Sequence, residues 1–245
     1  MARAVVAETS RGRLLRRIQI VAWALIWAGV LIGGYVGWQL VGTDFLNRRL
    51  QVQAADEFED SLGEAEAEEE EFETGELVGG VLPPDIPDTV TLYGEPEPVH
   101  GEPVAFIRIP SIDVEAVVFS GTERPILNKG PGHMPRTPLP GQPGNSVIAG
   151  HRTTYGRPFH NLDLLEPGDR IEIESVAGTH VYEVRETLIV KPTDVWVTDP
   201  RPGAWVTLIT CNPKFSARER LVVFAEMVEG PNYDYVRVSQ IRGAS

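Results

Sequence analysis

One cysteine, one histidine and one arginine are the residues of this 245-residue chain best suited to chemistry. Cys211, the only cysteine, ends a short apolar run, and His151 ends another. Arg220 opens a third apolar run, nine residues after the cysteine. Because a lone cysteine cannot form an internal disulfide, its use is packing, an intermolecular bond or reactivity.

A thiol, an imidazole and a guanidinium are together the parts of a thiol-nucleophile site. The thiolate attacks, the imidazole transfers protons, and a fixed cation stabilises the oxyanion of acyl transfer. If the runs on either side of residues 212–219 pair as a hairpin, Cys211 and Arg220 face each other across its rim. A register error of one residue would turn one side chain away. Composition and spacing alone leave a buried thiol, a surface histidine and a strand-edge arginine equally open.

The elements that would position these residues are short strands. From residue 104 onward, seven or eight strand-like runs alternate with Gly, Pro, Asn and Asp clusters, which is typical of a β-sandwich or β-barrel. Only residues 159–165 resemble a helical turn or two. A Pro- and Gly-rich loop, 128–145, leads into the run before His151, and loops on a rigid β scaffold commonly line binding sites.

The N-terminal part predicts a membrane anchor. Residues 18–41 contain no charged side chain, and about 20 helical residues cross a hydrocarbon core of about 30 Å. The arginine excess just before this span, at positions 11, 13, 16 and 17, predicts a cytoplasmic tail at 1–17 and places the remainder outside. The length of the apolar run and the absence of a small-residue cleavage site favour an uncleaved anchor over a cleaved signal peptide.

The net charge of −13 belongs to one segment. Twelve acidic residues and no basic ones lie between Asp56 and Glu76, which leaves a net charge near −1 for the rest. A nucleic-acid surface would need clustered Lys and Arg, so no nucleic-acid partner is expected. Like-charge repulsion predicts a solvated, extended stalk, with docking on a basic partner as the alternative. Residues 79–103 are rich in Pro and Gly and predict a linker.

Three sequence blocks resemble the sortases, the thiol transpeptidases that attach proteins to the Gram-positive cell wall. The block TLITC at 207–211 resembles the TLxTC signature of that family. The block GPGHMPRTPLPGQPGNSVIAGHRTTYG at 130–156 resembles the region leading to its essential histidine, and CNPKFSARERLVV at 211–223 resembles the stretch from cysteine to arginine. The similarity covers roughly residues 101–230 and is greatest to class E of actinobacteria.

The resemblance implies an all-β fold, an eight-stranded sortase-type β-barrel with short helices, preceded by one transmembrane helix. We therefore expect a catalytic domain at 101–245. An acidic and Pro/Gly-rich extracellular linker is expected at 42–100.

The resemblance also assigns roles to the three residues. Cys211 would be the nucleophile that attacks the Thr–Gly bond of a sorting signal and forms a thioacyl enzyme. His151 would protonate the departing amine and deprotonate the incoming one. Arg220 would hold the substrate and its oxyanion, and it fits better than Arg218, because the family's arginine directly precedes an apolar strand.

Further site residues follow from the same motifs. Thr210 matches the family's threonine that contributes to substrate positioning, and Tyr155 is expected to touch the sorting signal. His133 and His160 are competing histidines that end no apolar strand, so loop packing or a pocket wall is expected of them. We expect no metal and no cofactor, since the chain has no Cys/His cluster and no calcium-loop spacing.

The expected substrates are secreted proteins with an LPxTG-like C-terminal signal, and the class E resemblance favours LAxTG. The acceptor would be an amine on a peptidoglycan precursor, with the enzyme held in the cell membrane by its N-terminal helix and its catalytic domain outside. Two alternatives stay open. One is a pilin-polymerising sortase, and the other is a non-catalytic wall-facing interaction domain.

Overall fold

The computed structural model describes residues 2–38, 42–64, 67–75 and 86–244. The chain forms two compact units, Met1–Thr43 and Asp44–Ser245. The end of the expected span (39–41) lies outside the described residues, as do parts of the acidic tract (65–66 and 76) and of the linker (79–85).

The first unit is a long helix, α1, at Ala2–Gly37. Its stretch Leu14–Gly37 has a mean hydropathy of 1.9 and is long and apolar enough to cross a membrane. The helix is therefore consistent with single-pass anchoring. A signal sequence near the N-terminus can meet the same criteria of length and hydropathy, so the helix by itself does not distinguish the two.

The second unit is built on a closed eight-stranded barrel. Before the barrel come helix α2 at Thr43–Glu64 and a two-stranded sheet of β1 (Glu68–Glu73) and β2 (Thr89–Gly94). The barrel strands are β3 (Pro103–Ile109), β4 (Val114–Ser120), β5 (Gly132–His133), β6 (Gly144–Ala149), β7 (Arg170–Ser175), β8 (Gly178–Val190), β9 (Ala204–Asn212) and β10 (Glu219–Glu229). Short α3 (Arg124–Leu127) and C-terminal α4 (Tyr233–Ala244) complete the regular helices.

The strands close in the order β10-β8-β7-β3-β4-β5-β6-β9. The pairs β4–β5 and β6–β9 are parallel, and the others are antiparallel. This confirms the expected eight-stranded β-barrel with short helices.

The barrel core follows the alternation of apolar residues along the strands. On β7, Ile171 and Ile173 are fully buried, whereas the intervening Glu172 is partly exposed. Each such buried aliphatic side chain stabilises the fold by about 1.5–3 kcal/mol. The interior side chains from the other strands include Ile107, Ile109, Ile148, Val184, Val206, Leu208 and Val223.

The described part of the acidic tract is ordered, which differs from the expected extended stalk. Helix α2 continues to residue 64 and buries Ala54 and Phe58. Because these two positions lie four residues apart on one helical face, the carboxylates between and beside them, such as Glu57 and Glu59, stay exposed. The carboxylates are solvated as expected, but the apolar face formed by Ala54 and Phe58 packs the helix against the rest of its unit.

A second part of the tract is a strand. The segment EEEEFE of β1 pairs antiparallel with β2, inside the segment expected to be a linker. Its glutamates are exposed, and Phe72 lies 5.2 Å from Tyr235 of α4 between ring centroids. One aromatic contact and backbone pairing thus order a sequence whose charge pattern predicts none.

We expect the stability of the barrel to depend on pH through His180 on β8. Among the described residues, neither ring nitrogen of this buried side chain has a hydrogen-bond partner. Burial lowers the pKa of His180 to about 4. The unfolded chain, with an ordinary pKa near 6.5, therefore takes up the proton first, so stability falls as pH drops below about 6.5 toward 4.

The measurement is urea unfolding of the chain at about pH 7.5 and about pH 5. The free energy of unfolding should fall by about 2 kcal/mol more in the wild type than in His180→Leu, which cannot titrate. In His180→Leu a smaller dependence of the same sign remains from His133 and His151, since burial also lowers their pKa values. Identical pH dependence in the two proteins would rule out His180 as the source.

Candidate active site

The hairpin of β9 and β10 brings the cysteine and the arginine together. In its antiparallel register, Arg220 lies directly opposite Cys211. Side chains of directly opposed residues share one face of the sheet, with Cβ atoms about 4.5–5.5 Å apart. The pairing expected from the sequence is therefore confirmed.

The shared face is the outer face of the barrel. Along β9, Val206 and Leu208 belong to the core, and Thr210 is 2% exposed, so Cys211 points the other way and is half-buried. Arg220 precedes Leu221, which belongs to the core, so it also points outward. The sulfur thus lies at an accessible rim, as a nucleophile requires.

The parallel pair β6–β9 brings the histidine to the same edge. Ala149 pairs with Ile209, and His151 and Cys211 each lie two residues beyond that pair. The backbone N–H of Gly150 donates to the Ile209 carbonyl (3.0 Å), and the Thr210 hydroxyl donates to the Gly150 carbonyl (2.8 Å). These bonds hold the two strand ends side by side.

The His151 ring is held by two neighbours. Its Nε2 donates to Oδ1 of Asn128, 3.3 Å away, and its ring centroid is 5.2 Å from that of Tyr155. Burial and, to a smaller extent, the positive charge of Arg124 lower the pKa of His151. A neutral imidazole is therefore favoured near pH 7, with Nδ1 as its basic atom.

A buried arginine, Arg152, ties the histidine loop to the cysteine strand. Its Nη1 donates to the Cys211 carbonyl (3.2 Å) and to Oδ1 of Asn212 (2.6 Å), and its Nη2 pairs with Asp163 (3.0 Å). The residue after His151 is thus bonded to the backbone of Cys211 itself. Sequence reasoning missed this contact, and the only signal was an arginine directly after the candidate histidine.

Arg220 is fixed by the backbone of the turn between the two strands. Its Nη1 donates to the carbonyls of Ala217 (3.1 Å) and Glu219 (2.9 Å). Next to the Cys211–Arg220 pair, Asn212 lies opposite Glu219, and its Nδ2 donates to Glu219 Oε2 (2.9 Å). Arg218 is exposed in that turn, and its position is not opposite the cysteine.

Comparison with known proteins identifies the family. The family described as "Sortase domain" matches residues 107–228. The chain is 35% identical to Sortase SrtE1 of Streptomyces coelicolor over 53% of this chain and 41% of that protein, and 32% identical to Sortase A of Listeria monocytogenes over 51% and 56%. The chain belongs to the sortase family. The matched part of the chain spans less than half the length of Sortase SrtE1.

Solved sortase structures superpose on the barrel. One is sortase E1 of Streptomyces coelicolor with a tripeptide in its active site, at TM-score 0.51 and 33% identity over 54% of this chain and 92% of that one. Another is the sortase D5 transpeptidase of Clostridium perfringens, at TM-score 0.51 and 31% identity over 54% and 83%. Sortases are cysteine transpeptidases, and this membership supports transpeptidase chemistry in general.

The two competing histidines of this sortase have structural contacts. The Nε2 of His133, on β5, lies 2.9 Å from the Pro138 carbonyl and 3.1 Å from the Thr137 hydroxyl. The Nδ1 of His160 donates to the Arg152 carbonyl (2.8 Å). Both therefore stabilise loops, as expected.

Among the described residues, no group of three or more His, Cys, Asp or Glu side chains is placed so that it could bind a metal ion.

We expect Arg152→Met to destabilise this sortase by about 2–3 kcal/mol. The substitution removes the buried guanidinium and leaves its partners, the Cys211 carbonyl and the Asn212 side chain, without that hydrogen bond. Lys214→Met is the matched control. It removes a half-exposed cation 3.5 Å from the same Asp163 carboxylate and should cost less than about 1 kcal/mol. Urea unfolding measures both, and equal small losses would contradict a structural role for the buried arginine.

Proposed function

We propose that this sortase is a membrane-anchored transpeptidase that cleaves a C-terminal sorting signal between Thr and Gly and joins the protein to an amine of a cell-wall precursor. The observation that carries the proposal is the pairing of Cys211 with Arg220, at the barrel edge that His151 also reaches.

In the first step the Cys211 thiol passes its proton to the neutral His151 ring, and the resulting thiolate attacks the carbonyl carbon of the signal's threonine. The carbonyl oxygen becomes an oxyanion, which the guanidinium of Arg220 stabilises while its Nη1 is held by two backbone carbonyls. The C–N bond then breaks, His151 in its protonated form gives a proton to the glycine amine, and a thioester remains on the cysteine.

In the second step an amine of the acceptor attacks the thioester carbon. His151 takes a proton from that amine, the C–S bond breaks, and the thiolate is restored as the new amide bond forms. One group that serves as acid and then as base needs a pKa near the working pH. The lowered pKa of His151 favours the base form in the resting enzyme.

Thr210 and Tyr155 complete the proposed substrate region. Thr210 faces the interior, so it contributes by holding the strand end before His151 through Gly150. Tyr155 is half-buried beside the His151 ring, where one of its edges can contact the sorting signal. The similarity to class E favours LAxTG over LPxTG as that signal.

For the whole chain we propose a cytoplasmic tail at 1–17, a span at 18–41, an extracellular linker at 42–100 and the catalytic domain at 101–245. The arginine excess before the span sets this orientation. The ordered elements α2, β1 and β2 lie within the proposed linker.

Wall anchoring is favoured over pilin polymerisation by the path of the segment before β3. A lid would have to cover the site. In the described stretch 86–103, the backbone N–H of Tyr93 donates to the Asn232 side chain and the Tyr93 carbonyl accepts from the Gln142 amide. The Glu95 carboxylate accepts from the Ser175 hydroxyl, and all three contacts lie away from Cys211. These contacts therefore support packing on the barrel rather than closure over the thiol.

The substrate proposal is tested with the full chain in detergent and two fluorogenic peptides. An LAxTG peptide should be cleaved at a higher kcat/KM than its LPxTG counterpart, and an added amine should appear in the product. Cys211→Ala should abolish both reactions, because no other described group can form the thioester. Equal turnover by this variant would remove the nucleophile assignment.

The roles of the two partners are tested by His151→Ala and Arg220→Ala, with Arg218→Ala as the matched control two residues away. The first two variants should lose at least about 10²-fold in kcat/KM, and the control should stay within about twofold. All three side chains lie outside the barrel interior, so each variant should keep a cooperative unfolding transition. Loss of that transition in the first two would show structural roles instead.

A further inference from the structure

Helix α2 presents a polar stripe to the barrel. Asp44, Asn47 and Gln51 lie on one helical face, which continues into the buried Ala54 and Phe58. Asn47 is only 6% exposed. Burying polar side chains costs free energy unless each group has a hydrogen-bond partner. The partners of this stripe therefore show which parts of the barrel the helix fixes in place.

The first partner is the loop after α3. The amide of Asn47 donates to the carbonyls of Asn128 (3.0 Å) and Lys129 (2.8 Å), and the amide of Gln51 donates to the same Lys129 carbonyl (2.8 Å). From this loop the Asn128 side chain reaches Nε2 of His151. The helix thus fixes the backbone of the residue that accepts the ring's hydrogen bond.

The second partner is the turn after His151. The Asp44 carboxylate accepts the N–H of Gly156 (2.9 Å) and pairs with Nε of Arg157 (3.1 Å). Tyr155, Gly156 and Arg157 have φ values of 53°, 77° and 50°, a left-handed conformation that non-glycine residues rarely adopt. External bonds are needed to keep such a turn, and this turn sets the Tyr155 ring against His151.

Asn47 also contacts this second turn. A Cβ atom on Gly156 would overlap the Asn47 side-chain oxygen, so the helix and the turn are in direct contact. The family model matches residues 107–228, so α2 lies outside the residues that it matches.

We propose that α2 is a positioning element of the active site, in which Asp44 and Asn47 fix from two sides the groups that contact the His151 ring. Asp44 and Asn47 are positioning residues, since they act through Asn128 and Tyr155 and do not touch the reacting atoms. The inference rests on the proposed function in assigning proton transfer to His151.

The test uses the full chain in detergent with ¹⁵N-labelled histidine, the His151 signals being assigned by their loss in His151→Gln. In Asn47→Ala the ring resonances of His151 should shift, while those of His180 stay in place. With the LAxTG peptide, kcat should fall about tenfold and KM should change less than about twofold. Asp44→Asn keeps an acceptor for the Gly156 N–H and should lose less activity than Asp44→Ala.

The matched control is Phe58→Leu, a buried position on the same face of α2 but more than two turns further along. It should lower the unfolding temperature about as much as Asn47→Ala and leave both kcat and the His151 resonances unchanged. An equal fall in kcat in the control would overturn the inference, because a general loss of stability would then explain the effect.

Unchanged His151 resonances in Asn47→Ala would also overturn it. If the wild type cleaved no peptide, the proposed function would fail, yet the comparison of resonances would still decide whether α2 holds the ring.

Discussion

The site depends on the register of three neighbouring strands. The parallel pair β6–β9 aligns the end of one strand with the end of the next, and the antiparallel pair β9–β10 sets Arg220 opposite Cys211. A slip of one residue in β9 would turn Cys211 into the interior and push Leu208 out of it. The same apolar side chains that fill the barrel therefore decide where the thiol points.

Around this frame, loops are held by buried polar bonds. His151 lies two residues beyond the end of β6, where no ladder bond fixes it. Arg152 links the loop to the backbone of Cys211, and the Thr210 hydroxyl links Gly150 to β9. Because an unpaired polar group in such surroundings is costly, each bond holds its loop in one arrangement. The chemistry proposed for the outer face of the barrel thus depends on the buried hydrogen bonds of Arg152 and Thr210.

The sequence was sufficient for the parts that rest on local patterns. The strand-like runs predicted a β-sandwich or β-barrel, and the resemblance to sortases chose the barrel. The short connection between β9 and β10 predicted that Cys211 faces Arg220 if the two strands pair as a hairpin. The place of His151 was different, since it needs a parallel pairing between strands about 60 residues apart, which periodicity does not reveal. That placement was expected only from the resemblance to sortases.

Other features escaped because their cause is long-range. The density of carboxylates around Phe58 predicts a solvated chain, but one buried aromatic and one buried Ala54 dock the helix while the charges face water. Asn128 lies in a Pro- and Gly-rich loop, and its contact with His151 depends, in our proposal, on α2 fixing that loop. The two hydrogen bonds from Asn47 that do so span about 80 residues of sequence.

The most direct measurement is the intact mass of the full chain after incubation with a sorting-signal peptide and no acceptor amine, followed by mapping of the modified fragment. The account predicts that the acyl part of the peptide, up to its threonine, is attached as a thioester to Cys211. Cleavage of the peptide with the acyl group on another residue, or with a Cys211 that never carries it, would contradict the account.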